Sequence, residues 1–146
     1  MAGAGDVNGD GFADLLVGAN STDQGKESNT GTAYLVYGSA ALSDTKLLGE
    51  VASDRAGFSV AGAGDVNGDG FDDILVGASG NEGTAYLLHG PVATGTLELA
   101  DADLRTPNPS DGRTALVAGG GDVDGDGLDD VLMAFTGREV VLFLIR

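Results

Sequence analysis

A nine-residue pattern of oxygen-bearing side chains occurs three times, and it constrains what this chain can fold into more than any other feature. The copies are Asp6-Val7-Asn8-Gly9-Asp10-Gly11-Phe12-Ala13-Asp14, Asp65-Val66-Asn67-Gly68-Asp69-Gly70-Phe71-Asp72-Asp73 and Asp122-Val123-Asp124-Gly125-Asp126-Gly127-Leu128-Asp129-Asp130. Their first aspartates are 59 and 57 residues apart. Each copy follows a run of small residues and precedes an apolar one: Leu15-Leu16-Val17, Ile74-Leu75-Val76 and Val131-Leu132-Met133. Carboxylates or a carboxamide fill the first, third, fifth and ninth positions. Two like charges about 4 Å apart repel by roughly 1 kcal/mol in water and about 4 kcal/mol near a protein surface. With no Lys or Arg in the loops, a bound cation is what offsets that repulsion. Hard oxygen donors without His or Cys select Ca²⁺ or Mg²⁺, and a flexible loop rich in carboxylates favours Ca²⁺, which accepts six to eight ligands.

The expected ligands are therefore Asp6, Asn8, Asp10 and Asp14; Asp65, Asn67, Asp69 and Asp73; and Asp122, Asp124, Asp126 and Asp130. The glycine after the fifth position allows a sharp turn, so the seventh residue can add a backbone carbonyl. Phe12, Phe71 and Leu128 fill that role, and their side chains are expected to point into the core. The third loop has Asp124 where the others have Asn8 and Asn67, and is expected to bind at least as tightly. An EF-hand would need Glu at the twelfth position and a helix beyond it. Here Val17, Val76 and Met133 stand there, within runs that read as strand. A plain glycine-rich hairpin turn would account for one copy, but hardly for three in phase.

The formal net charge is −16, and twelve of the 23 acidic residues lie in these loops. Three Ca²⁺ ions would offset six of those charges, so most of the acidity belongs to metal sites rather than to a disordered tail. Such a surface is a poor partner for nucleic acid or anionic membrane. There is no cysteine, and no signal peptide or membrane-spanning run is visible. A chain of 146 residues can bury a real core.

Short strands separated by turn signals argue for an all-β fold. Strands are expected at 1–5, 15–18, 31–38, 46–51, 58–64, 74–77, 83–90, 96–99, 114–119, 131–134 and 138–145. Two of them, Gly31–Gly38 and Gly83–Gly90, are nearly the same sequence. Residues 100–113 read as a long polar loop. A repeat near 58 residues with four short strands is the signature of a β-propeller blade, a four-stranded antiparallel sheet. The chain reads as one segment, 1–146, of about two and a half to three blades, with units at 1–56, 57–113 and 114–146. Small residues at 61–64 suit an inner strand, where blades crowd around an axis.

These residues resemble the FG-GAP repeat of the integrin α-subunit propeller. Phe58-Ser59 stands where that family has Phe-Gly, Gly77-Ala78-Ser79 and Gly18-Ala19-Asn20 stand where it has Gly-Ala-Pro, and the three acidic loops fit its calcium motif. The resemblance implies calcium loops between the first and second strands of each blade. It also implies ligand-contacting loops on the opposite face, which by position are Asn20–Thr30, Gly49–Ala56, Gly80–Glu82 and Ala100–Arg113. The function implied is a calcium-stabilised, extracellular or cell-surface scaffold for adhesion or protein contact, with a protein or glycan ligand and no catalysis. The alternatives are a carbohydrate-binding propeller module and a non-catalytic propeller within a larger secreted enzyme. His89, the only histidine, reads as incidental. Such propellers close with about seven blades, so this chain is expected either to be a piece of a longer protein or to form homo-oligomers that complete a ring.

Overall fold

Glycine and alanine determine where the sheets of this protein meet. The computed structural model describes residues 1–39, 43–81, 83–106, 115–135 and 139–143. The first sheet holds β1 (Ala2–Gly5), β2 (Asp14–Ala19), β3 (Thr32–Tyr37) and β4 (Ser43–Leu48) in that order. The second holds β5 (Ala56–Gly64), β6 (Asp73–Ala78) and β7 (Thr84–Leu88), and the third holds β10 (Ala115–Gly121), β11 (Asp130–Phe135) and β12 (Glu139–Phe143). These neighbours all pair antiparallel. β1, β5 and β10 are the small-residue strands, and each forms one edge of its sheet. A Cβ on Gly62 would lie 2.8 Å from the Gly3 carbonyl oxygen, and one on Gly119 would run into the carbonyl of Gly62. The three edges therefore approach backbone to backbone, as the inner strands of consecutive propeller blades do.

Two apolar layers fill the gaps between sheets. The first gathers Ala4, Val7, Leu16, Leu35, Tyr37 and Leu47 from the first unit with Ile74, Val76, Tyr86 and Leu88 from the second. The second gathers Val66, Leu75 and Leu87 with Ala115, Val117, Val131 and Met133. β6 alternates its side chains between the two layers, as a strand with both faces covered must. It is buried along its whole length. β2 has a neighbour on one face only. Leu16 is buried, but Leu15 is 48% exposed.

Two outer strands differ from the sequence reading. Residues 96–99 were expected to be the fourth strand of the second unit. Instead β8 (Gly95–Glu98) pairs parallel with β4, as a fifth strand of the first sheet. The fourth strand of the second sheet is β9 (Leu104–Arg105), inside the stretch expected to be loop. The cause is the chain that follows β7. Tyr37 Oη donates to the Val92 carbonyl, Thr45 Oγ1 donates to that of Ala93, and Val92 and Leu99 are buried in the first layer. These contacts carry residues 92–99 back over the first sheet and cover the outer edge of β4, which would otherwise present unpaired backbone groups. β4 itself begins three residues earlier than expected and ends at Leu48, leaving Val51 exposed. A short 3₁₀ turn, Leu99–Asp101, is the only helical element among the described residues. Glu82, residues 107–114 and the ends of the expected 138–145 strand lie outside the described residues.

Candidate metal loops

Each acidic loop joins the inner strand of its sheet to the second strand, and all three share one hydrogen-bond pattern. The first-position carboxylate sits inside the turn and accepts the N–H groups of the fifth and sixth residues. Asp6 accepts from Asp10 at 3.0 Å and Gly11 at 2.8 Å, Asp65 from Asp69 at 3.0 Å and Gly70 at 2.8 Å, and Asp122 from Asp126 and Gly127, both at 3.0 Å. The third-position oxygen of Asn8, Asn67 or Asp124 accepts from the fifth N–H as well. The fifth-position carboxylate accepts from the N–H of Phe12, Phe71 or Leu128. Glycines at the fourth and sixth positions make the winding possible. All six have positive φ, from 73° at Gly9 to 94° at Gly127, a region that costs residues with a Cβ.

The ninth aspartates close the loops from below. Asp14, Asp73 and Asp130 are buried, and each accepts the N–H of its loop's second residue at 2.8–2.9 Å. Asp14 and Asp73 also accept the N–H of Gly38 and Gly90, just beyond the third strand, both at 2.8 Å. Burial pushes the Asp73 carboxyl above the usual carboxylate range, against the lowering effect of the Gly90 and Val66 N–H groups and His89. His89, read from sequence as incidental, places Nδ1 3.2 Å from Asp73 Oδ2.

Among the described residues, the third loop brings together three carboxylates that fit a hard divalent cation. Ligand oxygens of Asp122, Asp124 and Asp130 all lie within 4.8 Å of one another. Two oxygens on one Ca²⁺, each about 2.3–2.6 Å from it, are separated by no more than about 5 Å. A carboxylate that already accepts N–H bonds keeps lone pairs for a metal, having about four acceptor sites. Asp126 stands outside that group of three, with its carboxylate on the Leu128 N–H. In the first two loops the Asn8 and Asn67 amide groups donate to Asp10 and Asp69, at 3.1 and 2.9 Å. The third and fifth side chains are thus tied together there.

The seventh-position side chains correct a further expectation. They do not enter the core; Phe71 and Leu128 each cover the loop of the preceding repeat. A Cβ on Gly9 would come 2.6 Å from the Phe71 ring, and one on Gly68 would come 3.0 Å from Leu128 Cδ2. Phe12 has no preceding repeat within the chain and is 57% exposed.

The eighth position was not expected to have a role, and it has one. Asp72 accepts the Asp6 N–H at 2.6 Å, and Asp129 accepts the Asp65 N–H at 2.9 Å. In return the Asp72 and Asp129 N–H groups donate to the carbonyls of Asp6 and Asp65. Each of these aspartates clamps one repeat to the loop before it. The signal in the sequence was the doubled acid, Asp72-Asp73 and Asp129-Asp130, which the first loop lacks at Ala13.

At the opposite ends of the strands, three of the loops expected to meet ligands come together. Ser53, Arg55 and Ala56 donate backbone N–H groups to Ser28, Asn29 and Thr30, Gly80 donates to Asp54, and the Asn81 amide reaches the Ala52 carbonyl at 2.7 Å. Beneath them Tyr86 Oη donates to buried Asp54 at 3.2 Å, and at the surface Arg105 Nη1 donates to both Glu50 carboxylate oxygens, at 2.9 and 2.7 Å. Burial raises the Asp54 carboxyl, against hydrogen bonds from the Glu50 N–H and Tyr86.

Comparison with known proteins agrees with this geometry. The family model described as "FG-GAP repeat" matches residues 2–36 and 56–88, each an inner strand, an acidic loop and the next two strands. Integrin alpha-7 of Rattus norvegicus is 34% identical over 149 aligned residues, covering 97% of this chain and 13% of that protein. Integrin alpha pat-2 of Caenorhabditis briggsae is 36% identical over 104 residues, covering 66% of this chain and 8% of that protein. Integrin alpha-4 of Xenopus laevis is 37% identical over 93 residues, 60% of this chain and 9% of that protein. The chain thus spans a small part of the relatives it matches. No helix among the described residues is long and apolar enough to cross a membrane. With blade-like sheets, the repeated loops and these matches together, the chain belongs to the FG-GAP repeat family, as an integrin-α-like partial β-propeller.

Proposed function

We propose that this chain is a calcium-stabilised propeller segment that acts as an extracellular scaffold for adhesion or protein contact, with Ca²⁺ in a structural role and no catalysis. The observation that carries this reading is the repeated loop: three turns of one geometry, each with oxygen donors at four fixed positions and no basic residue within it. Asp122, Asp124, Asp126 and Asp130, with the Leu128 carbonyl, would hold the ion of the third site. Asp65, Asn67, Asp69, Asp73 and the Phe71 carbonyl would hold the second, and Asp6, Asn8, Asp10, Asp14 and the Phe12 carbonyl the first. When bound, the ion neutralises the clustered carboxylates. The loops join inner strands to their neighbours, so each ion would hold a sheet edge in place. The layer built from residues 20–30, 49–56 and 80–81 is the contact surface in this reading.

Thermal unfolding with and without chelator tests the structural role. Free Ca²⁺ at 100 times its dissociation constant adds about 2.7 kcal/mol per site, so chelation should lower the melting temperature by many degrees. An unchanged melting temperature in excess chelator would remove the role assigned to the ion.

A further inference from the structure

Residues 6–12 and 65–71 have the same sequence, so any difference in how their Asn-Gly pairs react comes from the fold. Asparagine followed by glycine can deamidate, because glycine has no side chain to hinder attack by its own nitrogen on the asparagine amide. The two amides are held alike. Asn8 Oδ1 accepts the Asp10 N–H at 3.0 Å and Asn8 Nδ2 donates to Asp10 at 3.1 Å, while Asn67 makes the same two bonds with Asp69, both at 2.9 Å. The attacking nitrogens are not held alike. The Gly68 N–H donates to the Asp65 carboxylate at 2.7 Å, as the Gly125 N–H does to Asp122. In the first loop Asp6 accepts from Asp10 and Gly11, and among the described residues no carboxylate accepts the Gly9 N–H. Exposure alone would rank the pair the other way, since Asn67 is exposed and Asn8 is half-buried.

We propose that Asn8 is a site of spontaneous deamidation, with water as the co-reactant, and that the Asp65 carboxylate protects Asn67 from the same reaction. The Gly9 nitrogen attacks the side-chain carbonyl carbon of Asn8, its proton passes to solvent, and ammonia leaves as a cyclic imide closes. One water then opens the ring. Breaking the bond from the Gly9 nitrogen to the side-chain carbon gives aspartate. Breaking its bond to the main-chain carbonyl carbon gives isoaspartate, with the backbone rerouted through the side chain. Nothing is oxidised or reduced. The Gly68 nitrogen must first leave Asp65, which is the added barrier in the second loop. Aspartate would give the first loop a carboxylate where the third has Asp124. Isoaspartate would lengthen the loop and disrupt its bonds to Asp10. The effect on ion affinity rests on the proposed cation site; the difference in rate does not.

Peptide mapping by mass spectrometry tests this on the whole chain, held in chelator in mildly alkaline buffer and sampled over time. Both asparagines sit in one molecule, so each is the other's control. A hydrogen bond to a charged group predicts that Asn8 is converted at least about tenfold faster than Asn67 in the folded chain. In concentrated urea the two identical segments should react at the same rate. Asp65→Ala, with a melting curve to check that the variant folds, should raise the rate at Asn67 and leave that at Asn8 unchanged. Because no metal is present, failure of the cation reading would leave these rates as they are. Equal rates in the folded chain, faster conversion of Asn67, a difference that persists in urea, or no rise at Asn67 in Asp65→Ala would overturn the proposal.

Discussion

At the scale of single residues, the loops show how one side chain differs from its counterpart by its surroundings. Asp124 and Asn67 occupy the same position and accept the same backbone N–H, but only Asp124 brings charge to the site. Asp124→Asn should weaken Ca²⁺ binding at the third loop about tenfold, the scale on which ligand charge tunes such sites, as a calorimetric titration would show. Asp129→Ala should cost about 1–3 kcal/mol in urea unfolding by leaving the partly buried Asp65 N–H unpaired. Asp54 gives a prediction with a sign. Burial raises its folded carboxyl above the unfolded value of about 3.9. Its favourable contribution is therefore fully present below that value and is lost as pH rises through the raised one. Asp54→Asn keeps an oxygen for the Tyr86 hydroxyl and carries no charge. The stability gap between the variant and wild type should widen in the variant's favour as pH rises from about 4, and a flat difference between the two unfolding series would refute it.

At the scale of elements, close packing is set by residues that have no side chain. A Cβ on buried Gly77, in β6, would run into the carbonyl of Ala115 at the start of β10. Gly77→Ala should therefore cost about 1–3 kcal/mol, read as a lower urea midpoint with an unchanged slope. The acidic loops and the inner strands were legible in the sequence because both are local: Asx-Gly turns and runs of Ala and Gly act within a few residues. The place of β8 was not. Residues 95–98 alternate like any outer strand, and what decides their partner is the open edge of β4 and the hold of Tyr37 and Thr45 on residues 92–93, some fifty positions away. For the same reason the role of Asp72 could not be read locally. Its partner is the Asp6 N–H, in another repeat. The packing of Phe12, Phe71 and Leu128 was misjudged because it depends on whether a repeat precedes them.

At the scale of the whole molecule, burial follows the order of repeats. The middle sheet is covered on both faces, while the first exposes Leu15 on one side and the third exposes Val123 at its loop. The net charge of −16 opposes this stacking unless cations offset it. Isothermal titration of the purified, metal-free chain with Ca²⁺ tests that balance most directly. About three ions should bind per chain, with Asp130→Asn removing one of them. Titration that returned only heats of dilution at millimolar calcium would contradict the account.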